Sequence, residues 1–162
     1  REGDSYVIPP GVVHSAGKGI LLWEVQTADV KPLIVTDWQH REKLSDAAKA
    51  RLLQAIHVEP RQTMRRPRAS GEATYTHRIP LTSNCPHFSV DEIRLRDHTF
   101  LQSSGLSFQI IFVLQGTVTI TYNNTGVTLG KGELGCIPAC LPECKLVSEE
   151  PSTELLRLTR PQ

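Results

Sequence analysis

The sequence predicts an all-β chain with one partial and one complete barrel or sandwich domain of a single kind, and one helix between them. Three observations carry this. Short β-branched and aromatic runs recur between turns rich in Pro, Gly and Asn. A single stretch has helical spacing. GDSYVIPPGVVH from Gly3 aligns without gaps to GELGCIPACLPE from Gly132, with Gly, an acid and then Ile-Pro at the same offsets, and two copies of one motif imply two domains of one kind. The second copy follows a long run of strand-like sequence, whereas the first has only two residues before it. The first domain is therefore expected to be a back half, its front strands supplied by an upstream segment or another chain.

Taken in order, residues 5–8 (SYVI), 20–26 (ILLWEVQ) and 33–36 (LIVT) read as strands separated by PPG, GKG and ADVKP. SDAAKARLLQAIH at 45–57 reads as the helix, with Ala48, Leu52, Leu53 and Ile56 on one face behind a capping Ser45. From Val58 to about Ile79 the pattern breaks down into a linker with two prolines and Arg61, Arg65, Arg66 and Arg68. Without interleaved aromatics those arginines read as a solvated loop, not as a nucleic-acid surface. Strands then return at 87–95, 108–116, 117–124, 126–133, 134–141 and 154–160, with a hairpin turn at Asn123, Asn124 and Gly126. The expected division is 1–43, back half of the first domain; 44–80, helix and linker; and 81–162, the complete second domain.

Over its 162 residues the chain carries 18 basic and 17 acidic side chains, a net charge of +1. That balance gives no footprint for nucleic acid or an anionic membrane. The longest apolar runs, IIFVL and GILLW, fall far short of the ~20 residues of a membrane helix. No signal pattern opens the sequence, so a cytoplasmic location is expected. Cys136, Cys140 and Cys144 are evenly spaced, and with Cys85 they number enough for a thiolate zinc site. Pro138 and Pro142 prevent the helix on which that spacing converges, so buried or half-buried free thiols are expected.

The opening reads Gly3, five residues, Pro9, one residue, Gly11, two residues, His14. It resembles the second conserved motif of the cupin superfamily, a double-stranded β-helix (jelly-roll) in which that histidine binds a metal. Gly17-Lys18-Gly19, Leu22, Glu24, Gln26, Asp37 and Trp38, then the helix from Ser45 and CPHFSVDEIRL, are similar in order to the bacterial short-form type I phosphomannose isomerases. The resemblance implies an aldose–ketose isomerase that interconverts mannose 6-phosphate and fructose 6-phosphate through a cis-enediol, with zinc as the Lewis acid. It implies His14 as the one metal ligand within this chain, the others lying upstream, and Glu24 as the residue for proton transfer or substrate contact. It also implies a second cupin that binds no metal. There Cys140 and Glu143 stand for Gly11 and His14, no His-x-His pair precedes Gly116, and Gln109 takes the glutamate-ligand spacing. His87 and His98 are expected at the surface.

One position departs from the family. The arginine expected just before the Trp falls on Leu33 or Ile34, with Lys31 the nearest cation. An ammonium does not reproduce a planar guanidinium fork. The departure favours the alternative, a non-catalytic cupin module that binds a sugar or sugar phosphate.

Overall fold

The computed structural model describes residues 1–27, 32–36, 44–57, 64–66, 75–82 and 85–161, and the chain divides into two compact units, Arg1–Pro67 and Arg68–Gln162. Among the described residues no helix is long and apolar enough to cross a membrane.

In the first unit strand β1 (Ser5–Val7) pairs antiparallel with β2 (Met64–Arg66), Tyr6 opposite Arg65. Helix α1 (Asp46–Ala55) starts where the sequence places it: the Ser45 hydroxyl accepts from the Ala48 N–H at 3.2 Å, satisfying one of the donors a helix start leaves open. Leu52 is its buried residue, while Leu53 faces outward. Two turns frame β1. The Asp4 N–H donates to the Arg1 carbonyl and the Val12 N–H to the Pro9 carbonyl. Each turn has a glycine of positive φ at its third position, Gly3 at 79° and Gly11 at 81°, as a type II turn requires.

Residues 20–26 and 33–36, predicted as strands, are not strands in the structure. A β-branched run becomes a strand only when a neighbour takes its backbone hydrogen bonds, and among the described residues these two segments have no ladder. Conversely, β2 and β3 (His77–Pro80) lie within the stretch predicted as linker. Their partners β1 and β4 are distant in sequence, so local pattern gave no sign of them.

The second unit is two antiparallel sheets. Strands β4 (Ser89–Leu95), β5 (His98–Gln102), β6 (Gln109–Gln115), β7 (Thr117–Tyr122), β8 (Thr125–Gly130), β9 (Leu134–Ile137), β10 (Glu143–Ser148) and β11 (Thr153–Thr159) follow β3 along the chain. They form a five-stranded sheet in the order β3-β4-β11-β6-β9 and a four-stranded sheet in the order β5-β10-β7-β8. This is a jelly-roll, the fold class expected. Ile93, Leu95, Ile111, Val113, Ile137 and Leu155 from the larger sheet meet Leu101, Val118, Leu129, Cys144 and Leu146 from the smaller in one core. Strands β5 and β10 were not predicted. HTFLQ and ECKLVS each carry only two strongly apolar residues, and they become strands by pairing with each other and with β7.

Two local features fix the register. The β7–β8 hairpin turns through Asn123 and Asn124, both with positive φ (45° and 62°), as a type I′ turn demands. Gly126, predicted as part of that turn, lies instead within β8. At the β6–β7 corner Gly116 has φ 81°, and a Cβ there would lie 2.8 Å from the Thr153 hydroxyl and 3.0 Å from the Ser152 carbonyl. Thr153, fully buried, donates to the Thr117 carbonyl across the same corner.

Gly116→Ala should therefore destabilise the second unit by more than the roughly 1–3 kcal/mol of a strained backbone alone. Gly132→Ala, also at positive φ but with open space around it, should cost only that strain. Urea unfolding followed by far-UV circular dichroism reads the difference, and equal midpoints for the two variants would contradict it.

Candidate functional site

The repeat that organised the sequence is also a repeat of backbone geometry. In the second copy the Glu133 N–H donates to the Gly130 carbonyl and the Leu141 N–H to the Pro138 carbonyl, the counterparts of the Asp4 to Arg1 and Val12 to Pro9 bonds. Gly132 has φ 84°, beside 79° for Gly3. Each copy then runs straight into a strand, β1 in one and β9 in the other. The acids differ in their partners. Glu133 accepts from the Gly130 N–H at 2.7 Å, while the buried Asp4 carboxylate takes Arg65 and the Arg1 ammonium at 2.9 and 3.0 Å.

His14 follows the second turn and is exposed. Its Nδ1 lies 2.9 Å from the Val12 carbonyl. A carbonyl only accepts, so Nδ1 carries the proton of this contact, and in the neutral form of the ring Nε2 is then the nitrogen with the lone pair. That is the tautomer of a metal-ligating histidine held by a backbone acceptor. One imidazole does not make a zinc site, and the described residues contain no group of three or more His, Cys, Asp and Glu placed to hold a metal. The residues described here do not by themselves fit a zinc ion. Glu24 and Gln26 are exposed and lie on the segment that is not a strand. Leu33 and Ile34 are exposed as well. Asp29, Lys31, Asp37 and Trp38 lie outside the described residues, as do Arg61 and Arg68.

In the second unit Glu143, at the position of His14, is exposed, and the next residue, Cys144, turns into the core. Burial pushes the Cys144 thiol up from its ordinary value, with Arg157 opposing and Glu143 adding to the shift. Cys85 is half-buried, as expected of the thiols, but Cys136 and Cys140 are exposed free thiols, Cys136 alternating outward from the buried Ile137 on β9 and Cys140 lying in the turn that follows. His87 and His98 are exposed; His98 lies 2.7 Å from Asp97 through Nδ1. Gln109, at the spacing of a glutamate ligand, is buried and points inward with Ile111 and Val113. Its amide is engaged at both ends: Oε1 accepts from Arg157 Nε at 2.7 Å, and Nε2 donates to the Gln102 carbonyl at 3.0 Å.

Sequence reasoning missed the groups around Gln109. Arg157 faces inward from β11, directly opposite Asp91 on β4, and Arg78 on β3 reaches Asp91 with Nη2 2.6 Å from Oδ2. A signal was available in the alternation of Asp91, Ile93, Leu95 and of Leu155, Arg157, Thr159, which puts a charge on the core-facing side of each strand.

No protein-family model matches the chain, and no curated protein matches it. Solved structures similar to it include a cupin-2 domain protein of Shewanella frigidimarina, 14% identical over 57% of this chain and 85% of that one, TM-score 0.46. Another is the Clostridium difficile EutQ protein, 17% identical over 53% and 68%, TM-score 0.47. KdgF from a Halomonas species is 19% identical over 57% and 86%, TM-score 0.47.

Two measurements test the electrostatics. In a chain that begins at Arg1, the ammonium first, and then Arg65, hold the Asp4 carboxyl below its ordinary 3.8 against the opposing effect of burial. A lowered folded value means the stabilisation is complete above the ordinary aspartate range and is lost as pH falls through the folded value. Amide protection of β1 should thus persist to below pH 3.8 and then collapse, with Asp4→Asn removing the pH dependence; protection lost well above that value would contradict it. Among the thiols, Cys136 and Cys140 should react with a maleimide in the native protein and Cys144 only after unfolding, as mass spectrometry would show.

Proposed function

We propose that the chain is the C-terminal part of a zinc-dependent aldose–ketose isomerase of the type I phosphomannose isomerase kind, acting on mannose 6-phosphate and fructose 6-phosphate. The observation that carries this reading is the Gly3, Pro9, Gly11, His14 spacing, formed as two glycine turns after which the His14 Nδ1 meets the Val12 carbonyl. Its remaining zinc ligands belong to the front strands of the first cupin. Exposed Tyr6, Val13, Ile20 and Leu22 support that part of the reading, since further strands would cover them. Zinc supplies Lewis-acid stabilisation of enediolate charge when bound. Glu24 takes the proton-transfer or substrate-contact role, and the second cupin is metal-free.

A second reading, a non-catalytic cupin module that binds a sugar or sugar phosphate, is favoured by Leu33 and Ile34 at the place of the expected arginine. The protein joined to its front strands decides between them. The isomerase reading expects conversion of mannose 6-phosphate that stops on chelation and returns with zinc. His14→Ala should lose zinc and activity together, and Glu24→Gln should keep zinc while kcat falls about a hundredfold or more. Zinc binding without isomerisation would overturn the isomerase reading and leave the second.

A further inference from the structure

The second jelly-roll carries a cluster with two cations on the inner face of its five-stranded sheet. Arg78, Asp91, Gln109 and Arg157 sit on four strands of the five-stranded sheet, all on the inner face. One carboxylate faces two guanidinium groups, so the cluster has an excess positive charge. Asp91 is held by Arg78 at 2.6 Å. Gln109 is saturated by Arg157 and by the Gln102 carbonyl. Arg157 donates through Nε alone, and among the described residues its two Nη groups have no partner.

Arg157 borders open space. Cavities of 470 Å³ and 290 Å³ share Arg78, Gln102 and Arg157 as a common wall. The larger continues past His77 and Thr99, the smaller past Ser89, Ser104 and Ser107 to Arg160. The volumes are of the order that takes a small ligand, about 300 Å³ upward. Burial lowers the Arg157 pKa from its ordinary value, and the Arg78 charge lowers it further. An anion between the two arginines relieves that repulsion and pairs with the donors left open.

We propose that the second barrel binds a small polyhydroxylated anion, its charged group on Arg157 and Arg78 and its hydroxyls on Ser89, Ser104 and Ser107. The phosphate of a sugar phosphate and the carboxylate of a sugar acid share this chemistry. The site uses nothing of the first cupin, so it stands or falls apart from the isomerase reading.

Titration calorimetry on the whole chain tests it, in chelator and in a His14→Ala background that removes the proposed zinc position. The probes are mannose 6-phosphate, glucuronate, inorganic phosphate and neutral mannose. Saturable 1:1 binding of mannose 6-phosphate or glucuronate, but not of mannose, is expected, and the tighter of the two names the source of the anion. Arg157→Gln and Arg78→Gln should each weaken binding roughly tenfold or more, while Lys131→Gln, an exposed cation elsewhere, should leave it unchanged. Arg78 is half exposed, so its variant keeps the test open if the half-buried Arg157 variant does not fold. No binding at millimolar probe, or binding indifferent to Arg78→Gln, overturns the proposal. Inorganic phosphate binding as tightly as the sugar anions overturns the role given to the serines.

Discussion

The second unit depends on one strand arriving last. β11 lies between β4 and β6 and hydrogen-bonds to both, so the five-stranded sheet is two separate pieces until Thr153–Thr159 joins them. The partners are distant in sequence, Leu155 pairing with Ile93 and with Val113, and loop closure on that scale makes such topologies slow to form. The register shift between Glu154 and Leu155 marks where the strand adjusts to two neighbours at once. Just before it, Thr153 is the peg: its hydroxyl spans to the Thr117 carbonyl and to Ser148, and Gly116 is a glycine because that hydroxyl is there.

The same strand sets the chemistry of the barrel. Its alternation sends Leu155 into the apolar core and Arg157, two residues on, to the inner face beside Asp91. A half-buried guanidinium needs partners for the part taken out of water, and Arg157 has Gln109 as acceptor and Asp91 as opposite charge across the ladder. The neutral glutamine offers its carbonyl oxygen to an arginine whose positive charge is already faced by Asp91.

Legibility in the sequence followed distance along the chain. The helix with its Ser45 cap, the hairpin at Asn123 and Asn124, and the two turns of each repeat copy depend on residues within four positions of one another, and all could be read. β3, β5 and β10 could not, because HRIP, HTFLQ and ECKLVS become strands only through partners elsewhere. Residues 20–26 failed in the opposite direction, with strand-like composition and no β-ladder among the described residues. His14 and Glu24 were legible as candidates through motif spacing. The cluster of Arg78, Asp91 and Arg157 was not, since three charges spread over eighty residues of sequence meet only through the pairing of β3, β4 and β11.

The two copies of the repeat separate two reasons for a glycine. At Gly3 and Gly132 the reason is local, a positive φ at the third position of a turn, and glycine stands in both copies. At the next turn it stands only in the first. Gly11 has positive φ and also lies under the end of α1: a Cβ there would come within 2.1 Å of the His57 ring and 2.7 Å of the Ala55 carbonyl, and its own carbonyl accepts from the His57 N–H. Its counterpart, Cys140, keeps the Leu141 to Pro138 hydrogen bond without a positive φ. A turn at this place can therefore form without glycine. In the first copy both the positive φ of the type II turn and the helix packed against it demand glycine, and the same packing fixes the backbone from which His14 projects.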